Sequence, residues 1–183
     1  MKSFFSEAIK SIKTTGSIKP SSKYLVRNCL KGLDFTDGDN IIEFGPGNGC
    51  ITEEIMNCIS PNTNLFSFEI NSVFYKYCKS KFASNKNIHI LNESALDLDV
   101  ILNEKSIEKV DYIISSLPLT ILKESEKKSL LVKINKSLKK GGVFVQYQYS
   151  LGSYKELKKY FSKVEVELTL RNLPPAFIYK CYI

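Results

Sequence analysis

The stretch IIEFGPGNG, Ile41 to Gly49, decides how the rest of this chain is read. A β-branched pair runs through Glu43 and Phe44 into glycines at 45, 47 and 49, and helical spacing of apolar residues follows from Ile51 to Ile59. A strand that passes through closely spaced glycines into a helix lets its backbone approach a ligand where a side chain would clash.

Outward from this turn, two kinds of segment alternate. Strands are expected at Asn40 to Phe44, Asn64 to Ile70, Asn87 to Leu91, Val110 to Ser115 and Val143 to Gln148. Helices are expected between them, near Ile51 to Ile59, Val73 to Phe82, Leu96 to Leu102 and Glu124 to Leu138. Gly141 and Gly142 are expected to end the last of these. Such alternation predicts an α/β fold, a mostly parallel sheet with helices on both faces. The tail changes character: a helix near Tyr154 to Phe161, then two strands, Val164 to Leu170 and Phe177 to Tyr182. Joined by NLPPA, these make an antiparallel C-terminal hairpin at the sheet edge and bring the count to seven strands.

At the other end, Phe4, Phe5, Ala8, Ile9 and Ile12 fall within an arc of about 140° on a helix, with Lys2, Lys10 and Lys13 beside it. This amphipathic helix can pack on the domain or lie in a membrane interface. After a break at Thr14 to Pro20, Ser21 is placed to cap a second helix reaching about Leu30, so the helical N-terminal segment spans about residues 1–30.

A chain of 183 residues with 43% hydrophobic and 25% charged residues suits a single soluble domain. There is no apolar run of ~18 residues and no signal-peptide h-region, so a cytoplasmic location is expected. Cys29, Cys50, Cys58, Cys78 and Cys181 show no CxxC spacing and are odd in number. They are expected to be free thiols in or near the core, with neither zinc nor disulfides, and no metal is expected. The net charge of +7 points to an anionic partner, nucleic acid or an anionic membrane surface, or to a lysine-rich solvated surface.

Spacing narrows the ligand. A phosphate-binding Walker loop needs Lys and Ser or Thr after its last glycine, where this chain has Cys50 and Ile51. Dinucleotide folds prefer GxGxxG, whereas here the pattern is GxGxG with Glu43 two residues upstream, which favours S-adenosylmethionine over NAD. Glu69 at the end of the second strand, 20 residues after Gly49, can accept hydrogen bonds from both ribose hydroxyls. Glu93 and Ser94 stand at the end of the third strand, in LNESA.

The chain resembles the class I, S-adenosylmethionine-dependent methyltransferases of Rossmann-like fold. Within them it is similar to the small bacterial phospholipid N-methyltransferases that act on phosphatidylethanolamine. The resemblance runs through TTGSIKPSS (Thr14 to Ser22), EFGPGNG, FEIN (Phe68 to Asn71), SSLPL (Ser115 to Leu119), GGVFVQYQYS (Gly141 to Ser150) and RNLPPA (Arg171 to Ala176). It implies that Glu43, Gly45, Pro46, Gly47, Asn48, Gly49, Glu69, Ile70, Asn71, Glu93, Ser94 and Ser115 form the cofactor site. It also implies that Ser115, Ser116, Leu117 and Pro118 line the reaction site. Two departures stand out. Glu93 replaces the usual aspartate. Ser116, Leu117, Pro118 and Leu119 lack the amide and the aromatic with which adenine-methylating relatives hold a flipped base, which counts against nucleic acid as substrate.

The resemblance implies methyl transfer to the amine headgroup of a membrane phospholipid by a peripheral enzyme on the inner membrane face; the alternatives are another aminolipid such as ornithine lipid, RNA adenine, a small soluble amine, or a membrane-associated cofactor-binding module without turnover. A protonated amine must lose a proton before attack, and the carbonyls or hydroxyls of Ser115 and Ser116 can orient it. Tyr147 and Tyr149 share one strand face and can be either an aromatic wall for a methylated ammonium or part of the core. Arg171, one of two arginines, can grip a lipid phosphate through its planar fork or brace the loop of Pro174 and Pro175. The single histidine, His89, lies between Ile88 and Ile90 and is read as structural. Phe4, Phe5, Ile9 and Ile12 would dock the enzyme on the bilayer.

Overall fold

The computed structural model describes residues 23–170 and 175–183. The amphipathic helix, the break at Thr14 to Pro20, the Ser21 cap, Arg171 and Pro174 therefore lie outside the described residues.

The elements follow in the order α1 (Lys23–Leu30), β1 (Asn40–Phe44), α2 (Cys50–Cys58), β2 (Asn64–Phe68), α3 (Ser72–Lys81), β3 (Ile88–Leu91), α4 (Leu98–Glu104) and β4 (Val110–Ser115). Then come α5 (Glu124–Ser137), β5 (Leu138–Gln148), α6 (Tyr154–Leu157), β6 (Lys163–Thr169) and β7 (Ala176–Tyr182). One seven-stranded sheet runs in the order β3-β2-β1-β4-β5-β7-β6. Strands β1 to β5 are parallel, and β7 lies antiparallel between β5 and β6. The expected architecture is the observed one.

Side-chain alternation produces two apolar layers. Ile42, Phe44, Phe68, Ile113 and Phe144 face α4, α5 and α6. Ile41, Leu65, Ile114, Val145 and Ile178 face α1, α2 and α3. Strands buried on both faces read as continuous apolar runs, which is why NIIEF and VDYIIS are legible as strands.

The last helix stops at Leu157, short of the expected Phe161, and two boundaries near the site also differ from expectation. Strand β2 stops at Phe68, leaving Glu69 and Ile70 just beyond it. The glycine pair does not end the long helix: α5 stops at Ser137, and Gly141 and Gly142 lie inside β5. Gly141 has φ +84°, and a Cβ on Gly142 would stand 2.8 Å from the Asp111 carbonyl oxygen. The β4–β5 register shifts beside them, between Val110 and Tyr112, so the pair accommodates an irregularity between two strands.

The topology places the site. The strand order changes direction between β1 and β4, and a crevice forms at the carboxyl ends of strands at such a switch point. There Phe44 pairs with Ser115, and Ser115 with Gln146. Because β6 runs parallel to β5, its end at Thr169 points to the same sheet edge.

Candidate active site

The turn after β1 holds three left-handed residues at alternate positions: Gly45 (φ +74°), Gly47 (φ +55°) and Gly49 (φ +79°). Side chains strongly disfavour that conformation. A Cβ at Gly45 would stand 2.8 Å from Ser116 Oγ, and one at Gly49 would stand 2.8 Å from the Phe82 ring, whereas no described residue comes within 4 Å of one at Gly47. Among the described residues, the turn is thus packed on its flanks and open at its centre. The Gly49 N–H donates to the carbonyl of buried Pro46, and Asn48 Oδ1 accepts from Cys50 N–H at the start of α2.

Beneath the turn, Glu43 is almost completely buried. Its Oε2 accepts from Thr52 Oγ1 at 2.7 Å and Ser67 Oγ at 2.6 Å, while Oε1 has no hydrogen-bond partner among the described residues. Burial pushes this carboxyl up from 4.5 to about 7, opposed by the two hydroxyls and assisted by the nearby charge of Glu69.

Glu69 is buried just past β2 and closes the turn from the side. Its Oε2 accepts from Gly47 N–H at 3.2 Å and its Oε1 from Asn71 N–H at 2.8 Å. A carboxylate at the end of this strand is an acceptor group of the kind that takes hydrogen bonds from a ribose diol. Asn71 Oδ1 caps α3 by accepting from Val73 and Phe74, and half-buried Ile70 lies between the two polar residues. Beyond β3, Asn92 Nδ2 donates to the Glu69 carbonyl oxygen, half-buried Glu93 follows, and Ser94 Oγ accepts from Leu96 N–H to start a 3-10 turn.

Across the switch point, the segment after β4 is held at several atoms. Ser116 N–H donates to the Phe44 carbonyl oxygen, and Ser116 Oγ donates to the Gly45 carbonyl oxygen at 2.5 Å. Leu117 N–H donates to Ser115 Oγ at 3.2 Å, and Pro118 leads into a second 3-10 turn. Both serine hydroxyls that were expected to orient an amine therefore already serve backbone groups.

A residue absent from the sequence expectations completes this segment. Gln146 of β5 is fully buried, and its Nε2 donates to the carbonyl oxygens of Leu117 at 2.9 Å and Tyr147 at 2.8 Å. The signal was present in FVQYQYS, where a glutamine holds a core-facing strand position.

Tyr147 and Tyr149 do share a face: their rings are 6.3 Å apart at 82°, with Tyr147 half-buried against the α1–α2 layer and Tyr149 53% exposed. His89 sits away from the turn, on β3, stacked 4.7 Å from the Phe66 ring. Burial, and then the charge of Lys105, lower its pKa. Cys29, Cys78 and Cys181 are buried free thiols, Cys50 is half-buried and Cys58 exposed.

The open centre of the glycine turn, flanked by Glu69 and by Glu93 and Ser94, suits a nucleoside joined to an amino acid. Gly47 leaves room where a side chain would intrude, and successive strand ends bring acceptors for hydroxyl and amino groups. These are the residues that would hold S-adenosylmethionine, which supplies an electrophilic methyl group when bound. What the chain adds is a rigid platform beside it: the Ser115 to Pro118 segment, locked to the turn.

The family described as Ribosomal RNA adenine dimethylase matches residues 21–139, more than half of the chain. The chain belongs to that family. It is an S-adenosylmethionine-dependent N-methyltransferase of class I fold. An ornithine lipid N-methyltransferase of Singulisphaera acidiphila is 28% identical over 166 residues, 90% of this chain and 86% of that relative. A ribosomal RNA small subunit methyltransferase A of Ureaplasma parvum serovar 3 is 30% identical over 66% of this chain, and the chain spans 46% of its length. Among solved structures, the N-methyltransferase NodS of Bradyrhizobium japonicum WM9, in complex with S-adenosyl-l-homocysteine, matches with TM-score 0.67 and 14% identity. The match covers 86% of this chain and 83% of that one. A precorrin-6y C5,15-methyltransferase of Geobacter metallireducens matches with TM-score 0.68 and 15% identity over 88% and 87% of the two chains. The expected class I resemblance thus holds for this methyltransferase. The relative matched along most of its length carries the name of an ornithine lipid enzyme, not of a phosphatidylethanolamine enzyme.

Proposed function

We propose that this methyltransferase transfers methyl groups to the amine headgroup of a membrane aminolipid, at the membrane surface. One observation carries the reading: the similarity to an ornithine lipid N-methyltransferase extends over 90% of this chain and 86% of the relative. The composition of the reaction segment supports it. Ser116 and Leu119 stand where adenine methylation uses an amide and an aromatic, and the Ser116 hydroxyl is engaged with Gly45. Ornithine lipid and phosphatidylethanolamine are the two candidate substrates.

Access to a bilayer lipid requires docking. Among the described residues, no helix is long and apolar enough to cross a membrane. The edge at which β5 and β6 end carries exposed apolar side chains: Tyr149 and Leu151 after β5, and Leu168 (49% exposed) and Leu170 (72%) at the end of β6. Together with a net charge of +7, these suit an anionic bilayer presented to the reaction segment. The N-terminal segment with Phe4, Phe5, Ile9 and Ile12 would add an anchor, and Arg171 a phosphate grip. Arg171→Lys should then lower turnover on phosphatidylethanolamine but spare ornithine lipid, which has no phosphate.

The test is methyl transfer from labelled S-adenosylmethionine to ornithine lipid vesicles, phosphatidylethanolamine vesicles and total RNA, run side by side. Label in lipid is expected, and label in RNA alone would overturn the reading.

A further inference from the structure

Gln146 is the least explained polar side chain at the site. It is fully buried, on a strand whose other core-facing residues include Phe144. Both of its amide hydrogens are used, on the carbonyls of Leu117 and Tyr147. With two carbonyl oxygens as neighbours, the amide can face only one way, donors towards them. Its Oε1 is then buried with no hydrogen-bond partner among the described residues. An unsatisfied buried acceptor lowers stability, and a methionine would fill similar space with no polar atom to desolvate. Packing alone therefore does not account for a glutamine at this position.

The donors do. Leu117 N–H is held by Ser115 Oγ on β4, and the Leu117 carbonyl by Gln146 Nε2 on β5. The two peptide groups flanking Leu117 are thus fixed by adjacent strands, in the segment that faces the glycine turn across the switch point. Displacement at a methyl group demands alignment of the attacking nitrogen, and small misplacements of the surrounding groups are costly in rate.

We propose that Gln146 is a positioning residue for methyl transfer: it acts through the Leu117 carbonyl to set the orientation of the reaction segment, without itself touching substrate. The inference is independent of which acceptor is methylated, because it is tested on whichever of ornithine lipid, phosphatidylethanolamine or RNA the wild type methylates. Failure of the lipid reading leaves it intact.

Two variants test it. Gln146→Met removes both donors and the stranded acceptor together. Its kcat should fall at least tenfold while the S-adenosylmethionine dissociation constant stays within about twofold. Gln146→Glu keeps the shape but, when ionised, turns an acceptor towards two carbonyl oxygens, whereas the protonated acid can donate once. Its kcat, divided by that of the wild type at each pH to cancel titration of the substrate, should rise as pH falls. Wild-type kcat in Gln146→Met, or a loss of cofactor affinity in proportion to kcat, overturns the proposal. So does a flat Gln146→Glu ratio, a measurement that remains decisive if the methionine variant does not fold.

Discussion

The Ser116 hydroxyl lies 2.5 Å from the carbonyl oxygen of Gly45, joining the end of β4 to the glycine turn of β1 across the switch point. The same hydroxyl occupies the space a side chain at position 45 would need. Gly45→Ala should therefore weaken S-adenosylmethionine binding at least tenfold by calorimetry and lower the melting temperature. A left-handed alanine alone costs about 1–2 kcal/mol, and the Cβ would stand 2.8 Å from Ser116 Oγ. Ser116→Ala removes a hydrogen bond worth about 0.5–1.5 kcal/mol. Because it also removes the obstructing atom, the double variant should be less destabilised than the two losses combined. Strict additivity in thermal unfolding would show that this contact is not the source of the constraint.

A second prediction concerns pH. The Glu43 carboxyl is raised in the folded protein from 4.5 to about 7, chiefly by burial, with Thr52 and Ser67 opposing and Glu69 adding to the shift. The folded state therefore holds more protons than the unfolded chain between these values, and stability falls as pH rises from 4.5 to about 7. Glu43→Gln keeps the shape and cannot ionise. Its chemical-denaturation midpoint should decline less with pH over that window than that of the wild type. Parallel pH profiles for the two proteins would place the buried charge elsewhere.

How far the sequence anticipated this arrangement depends on how local each signal is. The glycine turn and β1 to β5 were legible because apolar runs, glycine spacing and helix periodicity lie within a few residues of one another. The Gly141–Gly142 pair reads locally as a helix end, whereas Gly142 is demanded by the Asp111 carbonyl on a neighbouring strand and Gly141 by its left-handed φ of +84°. The Gln146 bond to Leu117 spans 29 residues and exists only once β4 and β5 pair. The burial of Glu43 depends likewise on Thr52 of α2 and Ser67 of β2 converging on it. Spacing could nominate these residues for the site, but only packing determines which of their atoms remain available.

Tyr149 offers a test of the aromatic wall. It stands edge-on to Tyr147 and is 53% exposed, so truncation there leaves the core intact. A methylated ammonium keeps its attraction to a ring face after it has lost its N–H donors, worth about 0.5–1 kcal/mol at an exposed site. Tyr149→Ala should shift products towards singly methylated lipid, with later transfers slowed about two- to fivefold, while Tyr149→Phe should retain the wild-type distribution. Mass spectrometry of the lipid products separates the two. Loss of the first transfer as well, in both variants, would assign the tyrosine hydroxyl a different role.

The apolar edge should be separable from catalysis. Leu168 and Leu170 protrude from the end of β6, 49% and 72% exposed. Leu168→Gln with Leu170→Gln removes apolar surface that would be buried in a bilayer, about 1 kcal/mol for each side chain given its partial exposure. Binding to vesicles containing anionic lipid should weaken by roughly thirtyfold in sedimentation. S-adenosylmethionine affinity should not change, and neither should turnover on aminolipid dispersed in detergent micelles, where docking on a surface is not required. Equal losses on vesicles and micelles would mean that the two leucines support the fold or the substrate pocket. Unchanged vesicle binding would instead direct the search for the docking surface to the N-terminal segment, whose Phe4 and Phe5 could then be tested in the same assay.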